Sequence, residues 1–365
     1  MVDPLDDAYP PRWYRTLVSK RFGDNERLTR LLWNGLKPST RRGYYTSVVS
    51  YTTWCEYNSR DPWPASLSNL IHWSIGRLYG DPVLPRQAQI SAATLNSYLA
   101  ALRSIHTDLD LNEQPFDSPC LRRVIQGANN FFPAEPRPQR TPITRSLLIR
   151  LISPEATAAE PHLDTLAVNA AFTLAFAAFL RMGEFTFPVS ALSDRRRLQH
   201  EHLTVPRVKV ATDHMVLVLP RSKTDKFNHG ITIRVARVGD EACASIHMRR
   251  WLAARPRSNW PPLQTPLFEF TNSVPFTRDK VIAIPRQRLT NVREPPVTFA
   301  GHSFRRGAAQ HALESGLSED EIQELGRWKS EAVKRYYKRT PQAIVDLNQR
   351  FQTGRPLPAT VRFAV

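Results

Sequence analysis

The sequence predicts a mainly α protein with one small β-sheet, divided into an N-terminal helical bundle and a C-terminal α+β domain. Three observations carry this. Between residues 38 and 131 apolar side chains recur at three- and four-residue spacing, the signature of amphipathic helices. A Pro-rich stretch without hydrophobic period, FPAEPRPQRT from Phe132 to Thr141, then interrupts the pattern. Between 208 and 235 the period falls to two, as in strands. A chain of 365 residues that is 41% hydrophobic exceeds most single domains, so division at the Pro-rich stretch is expected. The expected parts are an arm at 1–24, a helical domain at 25–133, a linker at 134–142, a second domain at 143–351 and a tail at 352–365.

Residues 1–24 show no clear period and read as a partly ordered arm. A helix starts at Pro38-Ser39-Thr40, with Tyr44, Val48, Tyr51 and Cys55 at helical spacing. Arg41 and Arg42 lie in its first turn, where the helix dipole disfavours cations, so they are expected to meet a ligand. Asp61-Pro-Trp-Pro breaks the chain. Helices are expected at 66–79, at 91–108 with a Leu95, Leu99, Leu102 and Ile105 stripe, and at 118–131. The stripes read as ordinary core, which leaves Arg41, Arg42, Arg103, Arg122 and Arg123 as candidate contacts to an anionic partner.

In the second domain Thr144 is a plausible cap, and 163–187 is the most apolar helix predicted. Its C-terminal end carries Arg181 and Glu184, which form at least an i,i+3 pair. A buried guanidinium steadied by a carboxylate also suits phosphate binding. Strands follow at 208–211, 215–220 and 231–235, and the loop RSKTDKFNHG that joins the last two carries Lys223 and Lys226. Helices are expected at 241–254 and 277–288, the latter with Arg278, Lys280, Arg286 and Arg288 as phosphate anchors or a solvated face.

The stretch Gly301 to Arg339, GHSFRRGAAQHALESGLSEDEIQELGRWKSEAVKRYYKR, concentrates the chemistry. His302 and Arg305 are spaced to share a helix face, Arg306 adds a cation, Ser318 with Glu321 forms a capping box, and Trp328 precedes Tyr336 and Tyr337 in a basic segment. Singly, each has an ordinary explanation: a lone His is usually satisfied, Arg-Arg usually solvated, Tyr-Tyr usually packing.

With 50 Lys+Arg against 33 Asp+Glu the net charge is +17, which favours nucleic acid as partner. No apolar run reaches membrane-spanning length, the start MVDPLDDAYPP does not read as a secretory signal, and an intracellular chain is expected. The 3 Cys lie far apart without metal spacing, and no acidic cluster suits paired magnesium ions, so no metal and no cofactor is expected.

The order HSFRR, then LGRWKS, then KRYYKR, preceded by RMGE at 181–184, resembles the tyrosine recombinases, including phage integrases. The wording GRWKSEAVKRYY looks closer still to the eukaryotic Crypton-like and DIRS-like transposon branch. The resemblance implies a helical core-binding bundle and a catalytic domain that close as a C-shaped clamp on double-stranded DNA. It implies cutting and rejoining through a 3′-phosphotyrosyl intermediate. Arg181 and Arg305 would clamp the phosphate, Glu184 steady Arg181, His302 hydrogen-bond the phosphate or help deprotonate the tyrosine, Lys223 protonate the leaving oxygen and Trp328 donate to the phosphate and pack the nucleophile helix. Tyr336 or Tyr337 would attack, the transposon wording favouring Tyr336. Lys226, Arg278, Lys280 and Arg306 would join the groove contacts. The family implies a homodimer on one site, a homotetramer in synapsis, and a nuclear location, or the cytoplasm and nucleoid for a prokaryotic chain. The rival readings are a domesticated, non-cutting DNA-binding protein and a type IB topoisomerase-like enzyme.

Overall fold

The computed structural model describes residues 9–81, 84, 87–132, 141–187, 202–220, 229–257, 260–293, 299, 301–328 and 333–334. The chain divides into two compact units, Met1–Pro138 and Gln139–Val365.

The first unit contains six described α-helices: α1 Arg12–Phe22, α2 Glu26–Asn34, α3 Pro38–Tyr57, α4 Leu67–Tyr79, α5 Ala92–Asp108 and α6 Pro119–Phe131. Four start on a side chain that accepts from a first-turn amide: Asn25 for α2, Ser66 for α4, Ser91 for α5 and Ser118 for α6. Val48, Tyr51 and Cys55 of α3 pack with Leu70, Trp73, Leu95, Leu99, Leu102 and Ile105 in one core. Residues 12–22, expected to belong to an arm, are instead helix α1, and α2 follows at once. The reason is aromatic anchoring rather than periodicity. Tyr14 is buried, its ring lies 4.8 Å from that of Trp33, and its hydroxyl donates to Asp108 Oδ2 at 2.9 Å. Burial raises the Asp108 carboxyl above its usual range, which the Tyr14 hydrogen bond opposes.

The second unit contains α7 Arg145–Leu151, α8 Pro154–Thr157, α9 His162–Ala177 and α10 Met182–Phe185, then β1 Val208–Val210, β2 His214–Leu219 and β3 Ile231–Ala236. Helices α11 Ala244–Ala254, α12 Arg278–Asn291, α13 Ser303–Glu314 and α14 Glu319–Gly326 complete it. The three strands form an antiparallel sheet in the order β1-β2-β3, with Leu217 opposite both Val208 and Ile233. Met215, Leu217 and Leu219 are buried in strict alternation, so one face of β2 belongs to the core. Every residue of α9 from Ala167 to Ala175 is buried, between α11 and α13. No described helix is long and apolar enough to cross a membrane.

Two departures from the sequence reading concern charge. The helix expected at 163–187 ends at Ala177, and Arg288, expected on a phosphate-binding or solvated face, is fully buried. Its guanidinium donates to Glu160 Oε1 at 2.7 Å and Oε2 at 2.6 Å, to Asn169 Oδ1 at 2.6 Å and to Leu151 O at 2.9 Å. The group is held by a bidentate partner because a guanidinium without one is too costly in a protein interior. Arg288→Ala is therefore expected to lower the unfolding free energy by about 3–5 kcal/mol, since it strands Glu160. Urea denaturation of the variant checks this, and a loss below about 1 kcal/mol contradicts it.

Candidate functional site

The site begins where α9 stops. Ala178 caps the helix, Phe179 turns left-handed at φ 51°, Phe179 N–H donates to Phe176 O at 3.1 Å, and Leu180 N–H donates to Ala175 O at 2.9 Å. This pair of bonds is the Schellman arrangement, with Phe where Gly is usual. The reversal sets Arg181 as N-cap of α10 instead of within a continuous helix. Arg181 N–H donates to Glu184 Oε2 at 2.9 Å, and its guanidinium Nη1 donates to Glu184 Oε1 at 2.8 Å. One carboxylate thus caps the helix and orients the arginine.

Helix α13 supplies the second strand of the site. His302 is its N-cap and exposed, whereas Arg305 is wholly buried. The one-turn spacing thus puts the imidazole outside and the guanidinium inside. Arg305 donates to the carbonyls of Phe179 and Gly326, and its guanidinium lies 3.9 Å above the Trp328 ring centroid. A desolvated cation–π contact of this kind contributes up to about 2 kcal/mol. Trp328 in turn meets Phe179 edge-on at 6.1 Å and joins Ala308, Ala309, Ala312, Ile322 and Val333 in a small separate core.

The third contributor is the end of α14, whose start carries the expected capping box of Ser318 and Glu321. Arg327 N–H donates to Glu324 O at 3.0 Å and Trp328 N–H to Gln323 O at 3.0 Å, a second Schellman turn. Arg327 occupies its left-handed position at φ 57°. Gly326, one residue earlier, is needed for a different reason: a Cβ there would overlap the Trp328 ring. The Arg327 side chain turns inward, 11% exposed, and donates to Ala178 O at 2.8 Å while Nη2 lies 3.4 Å from Phe179 O and 3.4 Å from Glu184 Oε2. Burial pulls this guanidinium below its ordinary range, Glu184 opposing and Arg181 reinforcing the shift.

Arg181, Glu184, Arg305 and Trp328 are thus brought together, and Arg327, absent from the sequence reading, is among them. Its signal was an Arg rather than Gly or Asn immediately after a helix that ends at Gly326. Arg278, exposed at the start of α12, reaches the same turn: a Cβ on Gly301 would lie 3.3 Å from its Nη2, and Gly301 O accepts from Met182 N–H at 3.2 Å. Lys280 is exposed and stands 5.6 Å over the Phe270 ring, and Arg306 is half-buried. Lys223, Lys226, Tyr336 and Tyr337 lie outside the described residues.

In the first unit Arg122 and Arg123 are exposed on α6. Arg41, expected to meet a ligand, is instead 7% exposed. It donates to Leu36 O at 3.0 Å and Asn34 Oδ1 at 3.3 Å and lies 4.6 Å from the Trp33 ring centroid, so its guanidinium is engaged in joining α2 to α3. Arg103, another expected contact, instead forms ion pairs with Glu113 at 2.7 Å and Asp117 at 2.7 Å. The backbone of Arg42 lies in α3, and its side chain falls outside what the structure describes. No group of three or more His, Cys, Asp or Glu suited to a metal occurs among the described residues.

No family model matches the chain. A curated relative, the integrase/recombinase xerD homolog of Selenomonas ruminantium, is 23% identical over 338 residues, which span 89% of each chain. Among solved structures, the Tn1549 transposon integrase in complex with a circular intermediate DNA matches at TM-score 0.54 and 14% identity, over 92% of this chain and 98% of that one. The same integrase with transposon right-end DNA matches at TM-score 0.53 and 13% identity, over 94% and 98%. The fold is shared with the Tn1549 transposon integrase.

Because Glu184 serves both Arg181 and Arg327, Glu184→Ala should lower the unfolding free energy by about 3–5 kcal/mol, and Glu184→Gln by less, since the amide keeps an acceptor. Denaturation followed by Trp fluorescence measures both. Equal stability of the Ala variant and the parent protein would remove Glu184 from this role.

Proposed function

We propose that the chain is a site-specific DNA recombinase of the tyrosine type. The observation that carries this is the convergence of Arg181, Arg305 and Arg327 on one turn beside Glu184, three guanidinium groups with a single carboxylate between two of them. Such a cluster is suited to an anion that arrives from outside. The similarity to an integrase/recombinase along 89% of the chain and to a transposon integrase bound to DNA supports double-stranded DNA as that anion's source.

In the reaction the phenol oxygen of Tyr336 or Tyr337 attacks the scissile phosphorus, forming the Tyr O–P bond and breaking the P–O5′ bond. His302 accepts the phenol proton and Lys223 donates one to the 5′ oxygen, so the products are a 3′-phosphotyrosyl strand and a free 5′-hydroxyl. The second step reverses this with a different 5′-hydroxyl. Bond energy is conserved and no nucleotide cofactor is consumed. Arg181, Arg305 and the indole N–H of Trp328 stabilise charge on the non-bridging oxygens, the largest contribution that preorganised donors make. The GRWKSEAVKRYY wording supports a reading beside the Crypton-like and DIRS-like transposon enzymes, with a nuclear site of action, a homodimer on one site and a homotetramer in synapsis. Units divided near Pro138 then correspond to a DNA-binding bundle, with Arg122 and Arg123 facing the backbone, and a catalytic domain.

Covalent trapping on nicked duplex DNA should yield an adduct that peptide mapping locates at Tyr336 or Tyr337, formed equally in EDTA. An adduct that persists in the Tyr336→Phe/Tyr337→Phe double variant, or that requires magnesium, would overturn this chemistry. Arg181→Ala should slow adduct formation by about 100-fold or more, the scale of removing one preorganised donor, with little change in DNA affinity. If excess protein restores the rate, Arg181 is a binding contact alone. Arg305 is the poorer probe, because its removal also empties a buried position.

A further inference from the structure

Arg327 occupies a position that ending a helix does not explain. At the left-handed position of a Schellman turn glycine is favoured, and a side chain there costs about 1–2 kcal/mol. Gly326 lies one residue too early to relieve it. The strain is accepted together with burial of a long cationic side chain, 11% exposed, next to a second guanidinium. Capping alone would select against both.

The charge arithmetic points the same way. Beside the guanidinium groups of Arg181, Arg305 and Arg327 the cluster holds one carboxylate, Glu184, so it carries two net positive charges, with Arg305 wholly buried and the Arg181, Arg327 and Glu184 side chains 15%, 11% and 6% exposed. A phosphodiester carries one negative charge and would offset one of the two. The contacts that hold Arg327 are unequal: 2.8 Å to Ala178 O and, within its own turn, 3.4 Å to Leu325 O, but 3.4 Å to both Phe179 O and Glu184 Oε2. Its buried Nε has no hydrogen-bond partner among the described residues. Two loose contacts and an unused donor are what a group needs if it is to change acceptors without unfolding its turn.

We propose, resting on the function argued above, that Arg327 is a further catalytic cation: it leaves Glu184 and Phe179 O for a non-bridging oxygen of the scissile phosphodiester when DNA enters. Ala178 O then keeps the guanidinium tethered, and Glu184 remains with Arg181. The strained turn holds the side chain over the site before DNA arrives, so little ordering remains to be done at binding.

Arg327→Gly separates this role from a structural one, because glycine suits the backbone of the turn while deleting the side chain. The probe is a nicked duplex recovered from a random-sequence library by covalent trapping with the parent protein, prepared with either a phosphodiester or a neutral methylphosphonate at the scissile position. On the phosphodiester, Arg327→Gly should form adduct about 100-fold more slowly than the parent. On the methylphosphonate, which carries no charge to neutralise, the gap should shrink to about tenfold or less. Arg327→Lys should fall between them, and the rates are compared below the melting temperature of each protein, so that any loss of stability enters both substrates alike. An Arg327→Gly protein that matches the parent on both substrates, or that is slowed equally on both, overturns the proposal. Failure of the parent protein to form any adduct with the library would instead bring down the recombinase reading itself, and this proposal with it.

Discussion

The second unit depends on one carboxylate doing three things. Glu184 caps α10 through the Arg181 amide, holds the Arg181 guanidinium through its other oxygen, and draws Arg327 across from the end of α14. Because Arg181 is bound at main chain and side chain by the same group, its rotamer is set before any ligand arrives. Preorganisation of that kind is what makes a fixed donor more effective than a flexible lysine on a surface. The same carboxylate limits the positive charge that so small a volume can hold without unfolding.

The other cations here are held by main-chain carbonyls. Arg305 donates to Phe179 O and Gly326 O, and Arg327 to Ala178 O. A carbonyl dipole orients a guanidinium and offsets part of its desolvation, yet leaves its formal charge uncancelled. Both carbonyls of the α9 turn are available because Phe179 reverses the backbone there, at φ 51°. Two left-handed residues, Phe179 and Arg327, thus make one contact, each turn completing the other.

Much of the framework was legible because it is written locally. Ser66, Ser91, Ser118, Thr144 and Ser318 each accept a hydrogen bond from the first turn of the helix they precede, as their residue types suggest, and the strand alternation survives intact in β2. Helix α1 was not legible, since its order comes from Tyr14 finding Trp33 and Asp108, contacts that no short window contains. The fate of cations was the least legible property. Arg41, Arg103 and Arg288 look alike in sequence, but Arg288 meets a Glu 128 residues away, and Arg305 meets a carbonyl 126 residues away. Composition counts charges; only the fold decides which are already spent.

The entry of the chain into the second unit is fastened to the helix that carries Arg305. Ile143 N–H donates to Ser303 O at 3.0 Å, and the approach is so close that a Cβ on Gly307 would overlap the Ile143 carbonyl. Ile143 lies five residues beyond the boundary at Pro138. The chain is thus tied to the first turn of α13 two residues before α7 begins. Displacing Ile143 would disturb the start of the helix whose next turn carries the Arg305 guanidinium.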